Sequence, residues 1–130
     1  MPQPLNFRRL VNVPTILFTV AVLGLLSFRT WNSLQVRDAK LFCESLIPKL
    51  RQELSETGKY PDKIDPAWWA GKKVPPLINT HEMYSIIQLT SPPSNRVFIL
   101  RFENPYAFWD NIVRFRSDDM AWDSFDANQR

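Results

Sequence analysis

His81-Glu82 is the one place in this 130-residue sequence where a histidine stands beside an acid, and His81 is its only histidine. General acid–base chemistry needs such a group within hydrogen-bond reach of a partner and of the proton that it moves. No Asp or Cys constellation flanks the pair, so it reads as a surface position just ahead of a strand. Ser85, Ser91 and Ser117 lack the Gly-x-Ser-x-Gly turn that lifts a nucleophilic serine out of its sheet. Glycines at 24, 58 and 71 alone leave no loop to cradle a phosphate. Cys43 is the single cysteine, which excludes an intrachain disulfide and a thiolate metal set. It lies on or beside an apolar helix face and reads as a small buried hydrophobe, with a reactive thiol or a lipidation site as the alternatives. Asp118, Asp119, Asp123 and Asp126 are the nearest approach to a cation site. They miss the spacing of a calcium loop and read as a solvated acidic tail. The expectation is a protein with no catalytic residue, no metal and no cofactor.

Polar groups of another kind sit in an apolar stretch. Residues 10–28 read LVNVPTILFTVAVLGLLSF, with no charge between Arg9 and Arg29. Thr15 and Thr19 are four apart, on one helix face, and Asn12 adds a third polar group near that end. They could bond a partner helix or their own backbone near Pro14, and the partner reading is preferred. Trp68-Trp69 is the second non-catalytic candidate. Paired tryptophans suit an exposed interface and equally the lid of a small core.

The apolar stretch must be positioned by a membrane. As a helix it spans about 28 Å, near the ~30 Å of bilayer hydrocarbon. Twelve of its positions are Leu, Ile, Val or Phe, which together favour insertion by about 4–7 kcal/mol. Arg8-Arg9 followed by an apolar run also fits a cleavable signal peptide, but no small-residue cleavage site follows. Arg29, Thr30 and Trp31 look instead like a membrane exit with an interfacial aromatic, which favours an uncleaved anchor. Arg8 and Arg9 abut the span on a short tail, so the N-terminus is expected inside and the rest outside. The boundaries follow: a tail at 1–9, a transmembrane helix at 10–28, an extracytoplasmic domain at 29–122 and a C-terminal tail at 123–130.

Beyond the span, Leu34, Leu41, Phe42, Leu46, Ile47, Leu50 and Leu54 recur at three- and four-residue steps, as one helix face. Lys40 with Glu44, and Lys49 with Glu53, form i,i+4 pairs on the polar side. One long helix is predicted, kinked near Pro48 and stopped by Gly58 and Pro61. Residues 60–76 read as an ordered loop with a short helical turn near 65–70. Strands are predicted at 83–90, 96–103 and 111–117, joined in an antiparallel meander, with residues 118–130 partly docked through Trp122 and Phe125. The fold class is α+β: a long N-terminal helix, half transmembrane and half amphipathic, on a small antiparallel sheet. Five Trp and nine Phe argue against disorder. From Arg29 onward 14 basic and 13 acidic residues nearly cancel, which is no nucleic-acid footprint.

The helix ending at Gly58-Lys59-Tyr60-Pro61-Asp62, the Val97-Phe98-Ile99-Leu100 strand and the Phe115-Arg116-Ser117 strand before Trp122 resemble type IV pilin-like and pseudopilin-like proteins. The resemblance covers the chain in outline. That family is cut after a Gly that precedes an aromatic or Met, with a Glu five residues into the mature chain. Asn6-Phe7-Arg8-Arg9 holds no Gly, and no Glu precedes Glu44. What the resemblance implies is therefore an architecture rather than processing by a prepilin peptidase. It implies a structural or interaction subunit of a membrane assembly in a bacterial cytoplasmic membrane, its domain in the periplasm. A small ligand- or cell-wall-binding module working through Trp68 and Trp69 is the alternative.

Overall fold

The computed structural model describes residues 7–88 and 96–125, with side chains from Asn12 onward. The turn expected at 91–95, residues 1–6 of the expected tail and residues 126–130 lie outside the described residues. Two compact units divide the chain at Leu34 and Gln35. The first is helical. Helix α1 (Phe7–Glu44) carries Pro14 inside it, past the first four residues, so the helix forgoes one backbone hydrogen bond there.

In the second unit the helical path continues with one defect. Ser45 donates its N–H to the carbonyls of Leu41 and Phe42, and Leu46 donates to Cys43 in a tighter turn. Helix α2 (Ile47–Thr57) then resumes. Pro48 falls in its first turn, so the kink expected near that proline is a one-turn tightening just ahead of it. Leu46 itself keeps right-handed helical dihedrals, φ −90° and ψ −21°. Gly58 stops α2 in the left-handed region (φ 74°) and donates its N–H to the Leu54 carbonyl at 2.9 Å, as a C-terminal cap does. A Cβ at Gly58 would meet no atom within 4 Å, so Gly58→Ala isolates the backbone term. It should cost about 1 kcal/mol, read as a lower urea midpoint at unchanged slope; an unchanged midpoint would contradict that cap.

The expected helical turn in the loop is a 3-10 turn (Pro66–Trp69), with the Asp65 carboxylate accepting the Ala67 N–H at 2.9 Å. Four strands follow: β1 (Tyr84–Gln88), β2 (Arg96–Glu103), β3 (Ile112–Arg116) and β4 (Ala121–Phe125). They form an antiparallel meander in sequence order. β4 is one strand more than predicted. Its pairing depends on Trp122 opposite Phe115 and Asp123 opposite Arg114, both cross-strand relations that a local pattern does not carry.

One face of the sheet carries Phe98, Leu100, Phe102, Val113 and Phe115 into a single core with the helix. The helix contributes Ala39, Phe42, Cys43, Leu46 and Leu50, a stripe at three- and four-residue steps. This corrects the predicted face, because Leu34, Leu41 and Leu54 are exposed. The two small residues explain the rotation: Ala39 and Cys43 are wholly buried, where larger side chains would hold helix and sheet apart. The predicted lysine–glutamate pairs are also replaced. Lys40 lies over the Trp122 ring at 5.4 Å, Glu44 accepts the Trp122 indole N–H at 2.8 Å, and Lys49 covers Trp68 at 5.8 Å. Both ammonium groups thus face an aromatic ring in place of a solvated carboxylate.

The Gly58 to Asp62 run works as a strap. Tyr60 stands edge-on to Phe98 at 4.9 Å, Pro61 accepts the Tyr84 hydroxyl at 2.6 Å, and Asp62 pairs with Arg96 at 3.4 Å. Burial, with Asp62 beside it, pushes the Tyr84 phenol up from its ordinary value, which keeps it a donor.

Candidate functional site

The first candidate surface is the apolar helix. Among the described residues one helix is long and apolar enough to cross a membrane, and none of its apolar window is buried within the protein. Val13, Ile16, Leu17, Phe18, Val20 and Leu23 are each at least half exposed. Asn12, Thr15 and Thr19 lie on this helix and are exposed. The Thr19 hydroxyl donates to the Thr15 carbonyl at 2.9 Å, satisfying its proton within the helix and leaving its oxygen able to accept.

The second is the tryptophan pair, which the 3-10 turn splits between two environments. Both rings are half-buried against the core. Trp68 turns to Lys49, whose ammonium also donates to the Trp68 carbonyl at 3.2 Å. Trp69 lines an open groove with Asp62, Asp65, His81 and Tyr84. The lid reading of the pair therefore accounts for Trp68, while Trp69 keeps one edge on an open concavity where apolar side chains meet charged ones.

The chemistry candidates take ordinary positions. Cys43 is wholly buried, and that burial, with Glu44 adjacent, pushes its thiol up to about 12, so it stays protonated and inert at neutral pH. Ser117 extends the β2–β3 ladder: its hydroxyl accepts the Phe98 N–H and its N–H donates to the Phe98 carbonyl, each at 3.1 Å. Ser85 lies within β1, and Ser91 is outside the described residues. His81 is exposed in the turn before β1. Among the described residues no group of three or more His, Cys, Asp or Glu is placed to hold a metal ion.

No family model, curated protein or solved structure matches this chain. What it does must be argued from its own surfaces.

The acids of the expected tail are engaged by arginines. Asp123 takes the Arg114 guanidinium through two nitrogens, Nε at 2.9 Å, and Asp118 takes Arg116 likewise, Nε at 3.1 Å. Arg114 hydrogen-bonded to Asp123, and Arg116 to Asp118, hold both carboxyls below their ordinary range. The sign is that of a depressed acid. The unfolded chain takes up a proton at higher pH than the folded one, so the pairs contribute fully above about pH 5 and are lost as pH falls through the folded values. Thermal unfolding of the full chain in non-ionic micelles should show this as an acid limb below pH 4, shallower in Asp123→Asn. Superimposable limbs would contradict the pair's contribution. Because both pairs are largely solvated, the effect is small.

The surface that the sequence reading missed is the β2–β3 connection. Phe108 is 87% exposed and Trp109 71%, their rings 4.8 Å apart and edge to face, with Tyr106 half-exposed beside them. The loop is built to hold them out. Asn104, 5% exposed, donates its N–H to the Asn111 carbonyl at 2.7 Å, accepts the Ala107 N–H on its own carbonyl and accepts the Tyr106 N–H on its side chain. Asp110 closes the turn at φ 52°. The signal was available: Asn104-Pro105-Tyr106-Ala107-Phe108-Trp109-Asp110 puts three aromatics in a segment with turn residues at both ends, where polar side chains are the norm.

Proposed function

We propose that this chain is a non-enzymatic, membrane-anchored interaction subunit. Its apolar helix lies in a bacterial cytoplasmic membrane with the N-terminus inside, and the folded unit outside docks onto a larger membrane assembly. One observation carries the reading: a span-length helix whose apolar side chains are exposed all round leads into a small, well-packed α+β unit. A soluble protein would bury such a helix, since exposed apolar area on this scale costs about 25 cal/mol per Å2 in water. Helix packed on a small antiparallel meander is the arrangement that the pilin-like resemblance implies, and it supports a structural role without supplying a partner. Asn12 and the oxygens of Thr15 and Thr19 are the helix groups offered to a partner span.

The open groove beside Trp69 favours a second reading, a small extracytoplasmic module that binds a ligand or a cell-wall component. Co-purification of the full-length protein in mild detergent, with mass spectrometry of what accompanies it, separates the two. A stoichiometric membrane complex is the expected result. Recovery of a lone monomer would overturn the subunit reading and leave the groove as the working surface.

A further inference from the structure

The aromatic loop stands at one particular end of the folded unit. Two ties orient the sheet along the helix: Glu44 and Lys40 hold Trp122, whereas Arg51 reaches Met120 at 3.5 Å. Moving along β4 from Met120 to Trp122 thus follows the helix backwards, from Arg51 towards Lys40. Phe125 lies further in that direction, opposite Ile112, and Ile112 pairs with Glu103. The β2–β3 loop begins there, so Tyr106, Phe108 and Trp109 occupy the end of the unit at which the chain enters it through residues 35–40.

That end is tethered to the span. Six Cα–Cα steps lead from Arg29 to Gln35, so whatever path they take, the entry point stands no more than about 22 Å from the end of the apolar stretch. The polar interface of a bilayer occupies about 5–8 Å of that distance. Tyr and Trp are the side chains that settle at this depth, where a ring meets both acyl chain and headgroup. The loop presents two of them with a phenylalanine, on a backbone already fixed by Asn104, so little ordering is left to oppose insertion.

We infer that Tyr106, Phe108 and Trp109 form a second membrane contact, seated in the headgroup layer of the same bilayer that holds the span. The inference rests on the anchored reading above. The span and the loop together then clamp the folded unit against the membrane surface.

The test uses full-length protein in phosphatidylcholine vesicles, with lipids carrying shallow or deep nitroxides in parallel samples, and a polarity-sensitive fluorophore on one introduced cysteine. Cys43 is replaced by alanine in every variant. The sites are Phe108→Cys in the loop, Asp119→Cys at the opposite end of the sheet, and Val20→Cys in the span. The expected result is a blue-shifted Phe108→Cys probe that loses most of its emission to the labelled lipids, while Asp119→Cys keeps its own. Equal, weak quenching at 108 and 119 would overturn the inference. So would a blue shift at 108 that lipid does not quench, or that vanishes on diluting protein into more lipid, since those mark a protein partner or a second copy. A Val20→Cys probe that the deep nitroxides leave unquenched would overturn the anchor itself, and so separates failure of that reading from failure of this one.

Discussion

Replacing Val20 and Leu23 together with arginine is expected to release this protein from the membrane. Both residues are near the middle of the apolar stretch, 62% and 57% exposed, with no internal packing to lose. An arginine at a span centre costs about 2.5–3.5 kcal/mol of insertion free energy, and each replaced aliphatic removes about 0.5 more. The pair therefore costs about 6–8 kcal/mol, against about 4–7 from the twelve strongly apolar positions. The control is Val20→Leu with Leu23→Ile, which keeps the apolar character and should remain membrane-bound. Fractionation by ultracentrifugation reads the difference, and continued membrane retention of the double arginine variant would contradict a lipid-held span.

Phe98→Ala is expected to have the largest effect on the folded unit. Phe98 is 1% exposed and meets the rings of Tyr60, Tyr84 and Phe115 at centroid distances of 4.9, 6.4 and 6.1 Å. It is where the strap after α2, strand β1 and strand β3 all converge. Deleting a buried phenyl costs about 3–5 kcal/mol, a large part of the 5–15 that a domain of this size has. Loss of near-ultraviolet dichroism at much lower urea is the readout. Ile87→Ala, on the neighbouring strand but 46% exposed, should cost under about 1 kcal/mol. Equal effects at the two positions would mean that Phe98 is not the hub of the core.

Much of this fold was legible because the relevant signals are local. Gly58 stops a helix for a reason confined to its own φ, and Asp65 caps a turn two residues on. In β3, Val113 and Phe115 alternate with Arg114 and Arg116, and the core takes the first pair. In β2, Val97 and Ile99 are buried as well as Phe98 and Leu100, in keeping with a continuous apolar run. The misses are relations between distant residues. β4 exists through Trp122 and Asp123 meeting partners on β3 and the helix, and its sequence AWDSF alone looks like an acidic tail. Ala39 and Cys43 carry no strong hydrophobic signal, yet their smallness sets which helix face approaches the sheet.

For the functional surfaces the division is similar. Composition alone located the long apolar helix, since its length and hydropathy are local properties of the sequence. Trp68 and Trp69 were indistinguishable in sequence and parted only because a 3-10 turn aims neighbours differently. The loop carrying Phe108 and Trp109 went unremarked because aromatics ordinarily mean core, and only the exposure of these rings shows otherwise.

The most direct test of a membrane-anchored α+β subunit is alkaline carbonate extraction of membranes from cells making the unaltered protein, followed by intact-mass measurement of the retained chain. Retention in the lipid pellet of a chain whose mass still includes residues 10–28 is the expected result. Extraction into the soluble fraction, or a retained or released chain that begins beyond Phe28, would contradict it, the last by showing that the apolar helix is a signal sequence and not an anchor.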